Sequence, residues 1–215
     1  MIIIFNGPPN TGKDEACSYL KNTKNFTHNE FKDALFTETC KHFSVSKKWF
    51  VENYNDRSVK ERKEAVLGNR SRREALIHVS ENIIKPKYGK EFFGQEVAQK
   101  ISNKINYCFS DGGFKEELFP VINKVGAENI CLVQLTRKGC DFSTDSRRYL
   151  NGNLIEEFVI QEETPIISSH ILLENFSIRT YRIHNNGSVE QLNETIEAIY
   201  EKERNALQER KNSLS

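Results

Sequence analysis

A chain of 215 residues, 37% of them hydrophobic, has material for one α/β core with a small appended helical region and excludes an array of several large domains. Its 31 Lys and Arg are matched by 30 Asp and Glu, so no global field recruits a polyanion; nucleic acid is not favoured as the main partner, and any phosphate site must be a local arrangement. Cys17, Cys40, Cys108, Cys131 and Cys140 are scattered, with no C-x-x-C pair and no His at zinc-finger spacing, which excludes a structural zinc and leaves reduced, mostly buried thiols.

Residues 2 to 6 form an apolar, β-branched run that reads as a buried parallel strand ending in a loop at Asn6-Gly7-Pro8-Pro9. The run is too short to span a bilayer and has no basic segment before it, so the expectation is a cytoplasmic protein with no membrane contact. A helix is predicted from about Gly12 to Leu20. Between Glu30 and Lys104 the chain reads as almost wholly helical, with basic clusters from Arg57 to Arg73 and a break at Pro86. Ile105 to Ser110 and Ile130 to Leu135 read as two further buried strands with a helix, Phe114 to Val125, between them. Strand, helix, strand in that order implies a parallel sheet. Ile178 to Ile183 is the last predicted strand, ending at Asn185-Asn186-Gly187. Ser188 then caps a helix whose Val189, Leu192, Ile196 and Ile199 fall on one stripe. Past Tyr200 charges take over, and an exposed, fraying tail is expected from about Glu203.

One motif carries chemistry. Gly7-Pro8-Pro9-Asn10-Thr11-Gly12-Lys13-Asp14 matches G-x-x-x-x-G-K directly after a buried strand and at the opening of a helix, the context in which the pattern cradles phosphate. Its glycines let backbone N–H groups converge on phosphate oxygens, the helix N-terminus adds partial positive charge, and Lys13 reaches the β and γ phosphates of a nucleotide. Asp14 stands where Ser or Thr is usual, so a carboxylate replaces the hydroxyl expected on Mg²⁺. Asp111, at the end of a strand, is a second candidate for the hydrated ion, with a helix N-cap as its structural alternative. Arg137 and Lys138 follow a strand at its C-terminal end, where ligands bind in open α/β sheets, and Arg147 and Arg148 follow in a polar loop; such arginines suit a transferring phosphoryl group.

Gly12-Lys13-Asp14 is the form of this motif in the bacteriophage deoxynucleoside monophosphate kinases, and other segments resemble them too. Phe31-Lys32-Asp33-Ala34-Leu35 is similar to the segment after their second strand. Ser71-Arg72-Arg73-Glu74-Ala75-Leu76 is similar to the one in which an arginine faces the acceptor phosphate, with Arg73 at that position and Lys85 where an Arg often closes the helix. Ser110-Asp111-Gly112-Gly113-Phe114 with Glu116 and Glu117 resembles their D-x-R-F-x-x-E, except that Gly113 stands at the Arg. His184-Asn185-Asn186-Gly187-Ser188 resembles a C-terminal N-x-G-S segment whose backbone wraps adenine.

The resemblance implies a P-loop NTPase-type parallel sheet of about five strands in a kinase domain over residues 1–200. A helical acceptor-binding insert is implied at about 30–104, a lid-like loop at about 137–152, and a charged tail at 201–215. It implies ATP with Mg²⁺, a deoxynucleoside monophosphate acceptor, and a homodimer as in some relatives. Gly7, Asn10, Thr11, Gly12, Lys13, Asp14, Asn185 and Gly187 would hold ATP; Lys13, Arg137, Arg147 and Arg148 would serve transfer. Lys32, Arg73, Lys85 and Asp111 would hold the acceptor, and Asp14 and Asp111 the metal. Arg72, about 100° round the helix from Arg73, is expected to be idle. Two other readings stay open: a kinase for another small molecule, resembling dephospho-coenzyme A kinase, and a non-catalytic nucleotide binder. A GTPase is disfavoured because Asn123-Lys124-Val125-Gly126 has glycine where N-K-x-D needs its acid.

Overall fold

The computed structural model describes residues 1–54, 56–143, 145, 147–150, 153–159, 166–173 and 175–213. Strand β1 (Ile2–Asn6) leads through the glycine-rich loop into helix α1 (Lys13–Lys24), followed by β2 (Thr27–Asn29) and α2 (Lys32–Phe43). The helical region continues with α3 (Lys47–Val51), α4 (Arg57–Glu61), the two-residue strands β3 (Lys63–Glu64) and β4 (Arg70–Ser71), α5 (Arg72–His78), α6 (Lys85–Tyr88) and α7 (Phe92–Lys100). Then come β5 (Tyr107–Gly112), α8 (Lys115–Val125), β6 (Ile130–Thr136), β7 (Asn153–Val159), β8 (Ile166–Leu173), β9 (Phe176–His184) and α9 (Val189–Ser213).

The main sheet has the order β2-β5-β1-β6-β9-β8-β7. Its first five strands are parallel, while β8 and β7 extend it as an antiparallel hairpin. The chain builds first to one side of β1 and then to the other, so the C-terminal ends of β1, β5 and β6 meet at the point where the strand order reverses, the place where open α/β sheets hold ligands. The hairpin was not foreseen in the sequence, and β5 and β9 extend past their predicted ends, to Gly112 and His184.

Strand alternation sorts the core into two layers. Ile2 and Ile4 point to one face of the sheet, with Phe109, Leu132, Ile178 and the α8 residues Leu118, Val121 and Ile122. Ile3 and Phe5 point to the other, with Ala16, Cys17 and Leu20 of α1 and Leu192, Ile196 and Ile199 of α9. All five cysteines are free, and Cys17, Cys40, Cys108 and Cys131 are buried, as their scattered placement suggested.

The helical region has its own cluster, in which Phe36, Cys40, Leu67, Ala75 and Leu76 surround the fully buried Phe50. Arg72 belongs to this framework rather than to an idle surface: it is buried, donates to the Phe50 carbonyl at 3.1 Å and the Glu52 carbonyl at 2.6 Å, and lies 4.7 Å from the Trp49 ring centre. The helix does not break at Pro86. A π-helical turn over Val79–Ile84 joins α5 to α6, and the Lys85 N–H bonds the Ser80 carbonyl, five residues back. That wider register lets the chain pass Pro86, which has no N–H to give, without interrupting the helix.

The charged C-terminal segment also differs from expectation. Helix α9 runs unbroken to Ser213, and Glu203 is only 1% exposed. Glu203 pairs with Arg179 of β9 at 2.8 Å and accepts from the Tyr181 hydroxyl at 2.7 Å. A buried carboxylate is tolerable only with such partners, and these two fasten the second half of α9 to the sheet. Among the described residues no helix is long and apolar enough to cross a membrane.

Candidate active site

The glycine loop owes its shape to a few tight contacts. Asn10 and Gly12 have positive φ, 66° and 99°, and the Thr11 hydroxyl donates to the Pro8 carbonyl at 2.9 Å. A Cβ at Gly12 would lie 2.6 Å from Asn185 Nδ2, and one at Gly7 would run into the Leu135 carbonyl. The buried Lys13 bends back over the loop and donates to the Pro8 carbonyl at 2.6 Å. Burial, and then the Arg147 charge, bring its amine down to about 8.

Asn185 is tied to the glycine loop by its side chain. Its side chain donates to the Thr11 carbonyl at 2.9 Å, and its N–H bonds the Thr136 carbonyl at 2.8 Å, so it braces the glycine loop against β6. Gly187 admits the Gln191 side chain, whose Oε1 accepts from the Ser188 N–H at 2.9 Å while the Ser188 hydroxyl accepts from the Gln191 N–H at 3.3 Å. This reciprocal pair starts α9, as the sequence indicated.

A cavity of about 470 Å³ opens between the loop and the helical region. Lys13 and Asp14 reach it from α1, Lys32 from α2, Lys60 from α4, Arg73 from α5, Asp111 from β5, and Arg147 from the loop after β6. Five cations from five separate segments thus share one space. Lys60, in the sequence one member of the basic run from Arg57 to Arg73 and not singled out there, is pushed down by burial and then by Arg73 and Lys32. The Tyr54 hydroxyl beside it is raised to about 12, chiefly by burial.

The acids are distributed unequally. Asp111 accepts from the Phe31 N–H at 3.0 Å on one oxygen and the Lys32 N–H at 2.9 Å on the other, so it ties the entry of α2 to β5 rather than capping α8. Lys32 is paired with Glu30 at 2.6 Å; burial pulls its amine down, but Asp111 and Glu30 outweigh that and raise it. The exposed Asp14 carboxylate is grouped with His28 and Glu30, their ligand atoms all within 4.8 Å of one another. His28 contacts the Ser110 hydroxyl at 3.0 Å.

The loop after β6 is held down by polar side chains at the strand ends. Asn6 donates to the Gly112 and Arg148 carbonyls, both at 2.9 Å, and accepts from the Leu150 N–H at 2.7 Å; Gln134 donates to the Leu150 carbonyl at 3.0 Å. These bonds bring Arg147 across Gly113, where a Cβ would lie 2.7 to 2.8 Å from Arg147 Cβ, Cγ and Cδ. The missing side chain at 113 is therefore the space that the arginine stem fills. Asp145 grips the guanidinium at 2.5 Å. Burial alone would raise Asp145, but the bonds from Arg147 outweigh it and hold the carboxyl at about 2.

The remaining expected cations lie apart. Arg137 is exposed at the end of β6, outside the cavity. Arg148 is exposed and donates to the Asp145 and Arg147 carbonyls at 2.9 and 2.6 Å. Lys85 sits behind the wall, paired with Glu81 at 2.5 Å and 4.7 Å from the Phe114 ring centre. Sequence reasoning missed Asn6 and Lys60. Asn6 carried the one available signal, a polar residue ending a wholly apolar strand.

Neither a protein-family model nor a curated protein matches the sequence.

Proposed function

We propose that the chain is a P-loop kinase. Its donor is ATP, and the acceptor that fits best is a deoxynucleoside monophosphate, in keeping with the resemblance to the phage enzymes. The observation that carries this reading is the convergence of Lys13, Lys32, Lys60, Arg73 and Arg147 on one cavity at the mouth of the glycine loop. Burial and mutual repulsion depress Lys13 and Lys60, as expected where cations are gathered for an anion yet to arrive. Two phosphorylated substrates supply that anion more fully than one.

In this reading the glycine loop takes the β and γ phosphates of ATP, and Lys13 leaves the Pro8 carbonyl to reach them. Arg73 and Lys60 hold the acceptor phosphate, and Arg147 lies between the two substrates, where charge spreads over the equatorial oxygens during transfer. Asp14 has a free carboxylate at the first turn of α1, suited to Mg²⁺ through its water shell, with Asp111 behind it. Such an ion would supply charge neutralisation for the transferring phosphoryl group.

The experiment is ADP release coupled to NADH oxidation, run over the deoxy- and ribonucleoside monophosphates and dephospho-coenzyme A. Turnover with a deoxynucleoside monophosphate supports the reading. Turnover with dephospho-coenzyme A alone would replace the acceptor, and ATP binding with no turnover on any acceptor would leave a nucleotide binder.

A further inference from the structure

Asp145 is an acid among the cations of the cavity. Its carboxylate, 11% exposed, lines the same space as Lys13, Lys32, Lys60, Arg73 and Arg147. A carboxylate there repels the phosphates that the cations attract, so its contribution has to be sought in what it does to a neighbour. That neighbour is Arg147. Asp145 Oδ1 accepts from the Arg147 N–H at 3.0 Å, a turn that folds the chain back on itself. Oδ1 and Oδ2 accept from Arg147 Nε at 3.0 and 3.1 Å, and Oδ2 also accepts from Nη2 at 2.5 Å. The carboxylate thus clasps the Nε–Nη2 edge of the guanidinium and leaves Nη1, with its two N–H groups, outside the clasp. The clasp is itself anchored: the Asp145 N–H donates to the Phe142 carbonyl at 3.0 Å, and the Asp145 carbonyl accepts from Arg148 Nη1 at 2.9 Å. An unclasped arginine keeps its rotamer freedom and must give it up at the moment of transfer; here that freedom is already removed.

We propose that Asp145 is a positioning residue for phosphoryl transfer: it fixes the Nε–Nη2 edge of Arg147 so that Nη1 faces the transferring phosphoryl group, and in doing so it lowers the affinity for substrates. This rests on the reading of Arg147 as the arginine between the two substrates. Through Arg147, Asp145 favours the transition state, where charge spreads over the equatorial oxygens; through its own charge it disfavours the bound ground state. A group with those two effects raises kcat and KM together, and its removal lowers both. The opposite pattern belongs to an acid that only folds the loop, whose loss misplaces Arg147 and weakens binding along with rate.

The test is steady-state kinetics in ATP and a deoxynucleoside monophosphate for the wild type, Asp145→Asn, Arg147→Ala and the double variant, with a melting curve for each. Asp145→Asn is nearly isosteric and keeps an oxygen for the Arg147 N–H, so the turn survives; its amide N–H then faces the Nη2 N–H, and the clasp opens. Asp145→Asn should lower kcat roughly tenfold, with KM for both substrates at or below the wild-type value. In the Arg147→Ala background the same substitution should change kcat by less than about threefold, because the group it positions is gone. An Asp145→Asn protein with wild-type kcat, a raised KM for either substrate, or an equal loss of kcat in both backgrounds would overturn the assignment while wild-type transfer leaves the kinase reading standing. If the wild type transfers to no deoxynucleoside monophosphate, that reading falls, and this inference with it.

Discussion

Gly113→Ala adds one methyl group and tests how Arg147 is placed. The new carbon would stand 2.7 to 2.8 Å from three carbons of the Arg147 stem, roughly an ångström inside the optimal separation of 3.5 to 4.0 Å. Gly113 has no positive φ, so alanine adds no backbone strain, and the whole effect falls on the arginine. Backbone there cannot yield easily, because Asn6 ties the Gly112 carbonyl and the Arg148 carbonyl to β1. Because Arg147 Cβ is itself 2.7 Å away and no rotamer moves it, the segment that carries Arg147 must shift and take the guanidinium out of its place. Losing a charge-assisted contact to a phosphate costs about 1.5 to 3 kcal/mol, or roughly tenfold to a hundredfold in kcat/KM. Steady-state kinetics in both substrates, with a melting curve to show that the fold is kept, measures this. A Gly113→Ala enzyme that keeps wild-type kcat/KM would refute the placement of Arg147 in transfer.

Further outcomes follow from other parts of the site. Arg73→Ala should raise KM for the monophosphate by roughly tenfold to a hundredfold and leave KM for ATP nearly unmoved, whereas Arg72→Ala should lower the melting temperature first, because Arg72 holds two carbonyls of the helical region; equal kinetic effects would remove Arg73 from the acceptor phosphate. Asp14→Ala should raise the Mg²⁺ needed for half-maximal rate and Asp14→Ser should partly restore it; a metal titration unchanged in both would confine Asp14 to the helix terminus. Lys13 is charged below about 8 and neutral above it, so kcat/KM for ATP should fall as pH rises through about 8; a profile flat to pH 9.5 contradicts this. Glu203→Ala strands Arg179 and should cost about 3 kcal/mol in denaturant unfolding, and a loss under about 1 kcal/mol would mean that the pair does not fasten α9.

The parallel core was legible because its signals are local. Ile2 to Phe5 are apolar on both faces, as a central strand between two helical layers must be, and the turn at Gly7 to Gly12 needs small residues and positive φ that the sequence displays. The β7–β8 hairpin was not, since its apolar runs carry no tight-turn dipeptide, and β8 finds its second partner in β9. The charges after Tyr200 looked solvated because Glu203 has its partners 22 and 24 positions earlier, on a neighbouring strand, where helical periodicity says nothing. In the site, Lys13 and Arg73 followed from motif position. Lys60 did not, because in the sequence it is one charge in a basic run, and only the packing of α4 against α5 turns it inward. Arg147 was one of four equal candidates until Asn6 and Gly113 singled it out.

The central claim is phosphoryl transfer through the glycine loop, and it is tested most directly with γ-labelled ATP, Mg²⁺ and a deoxynucleoside monophosphate. The account predicts that label appears in the deoxynucleoside diphosphate with the wild-type protein, and that a folded Lys13→Ala protein transfers less than about a hundredth as much. Label transferred equally by both proteins, or by neither, would contradict it.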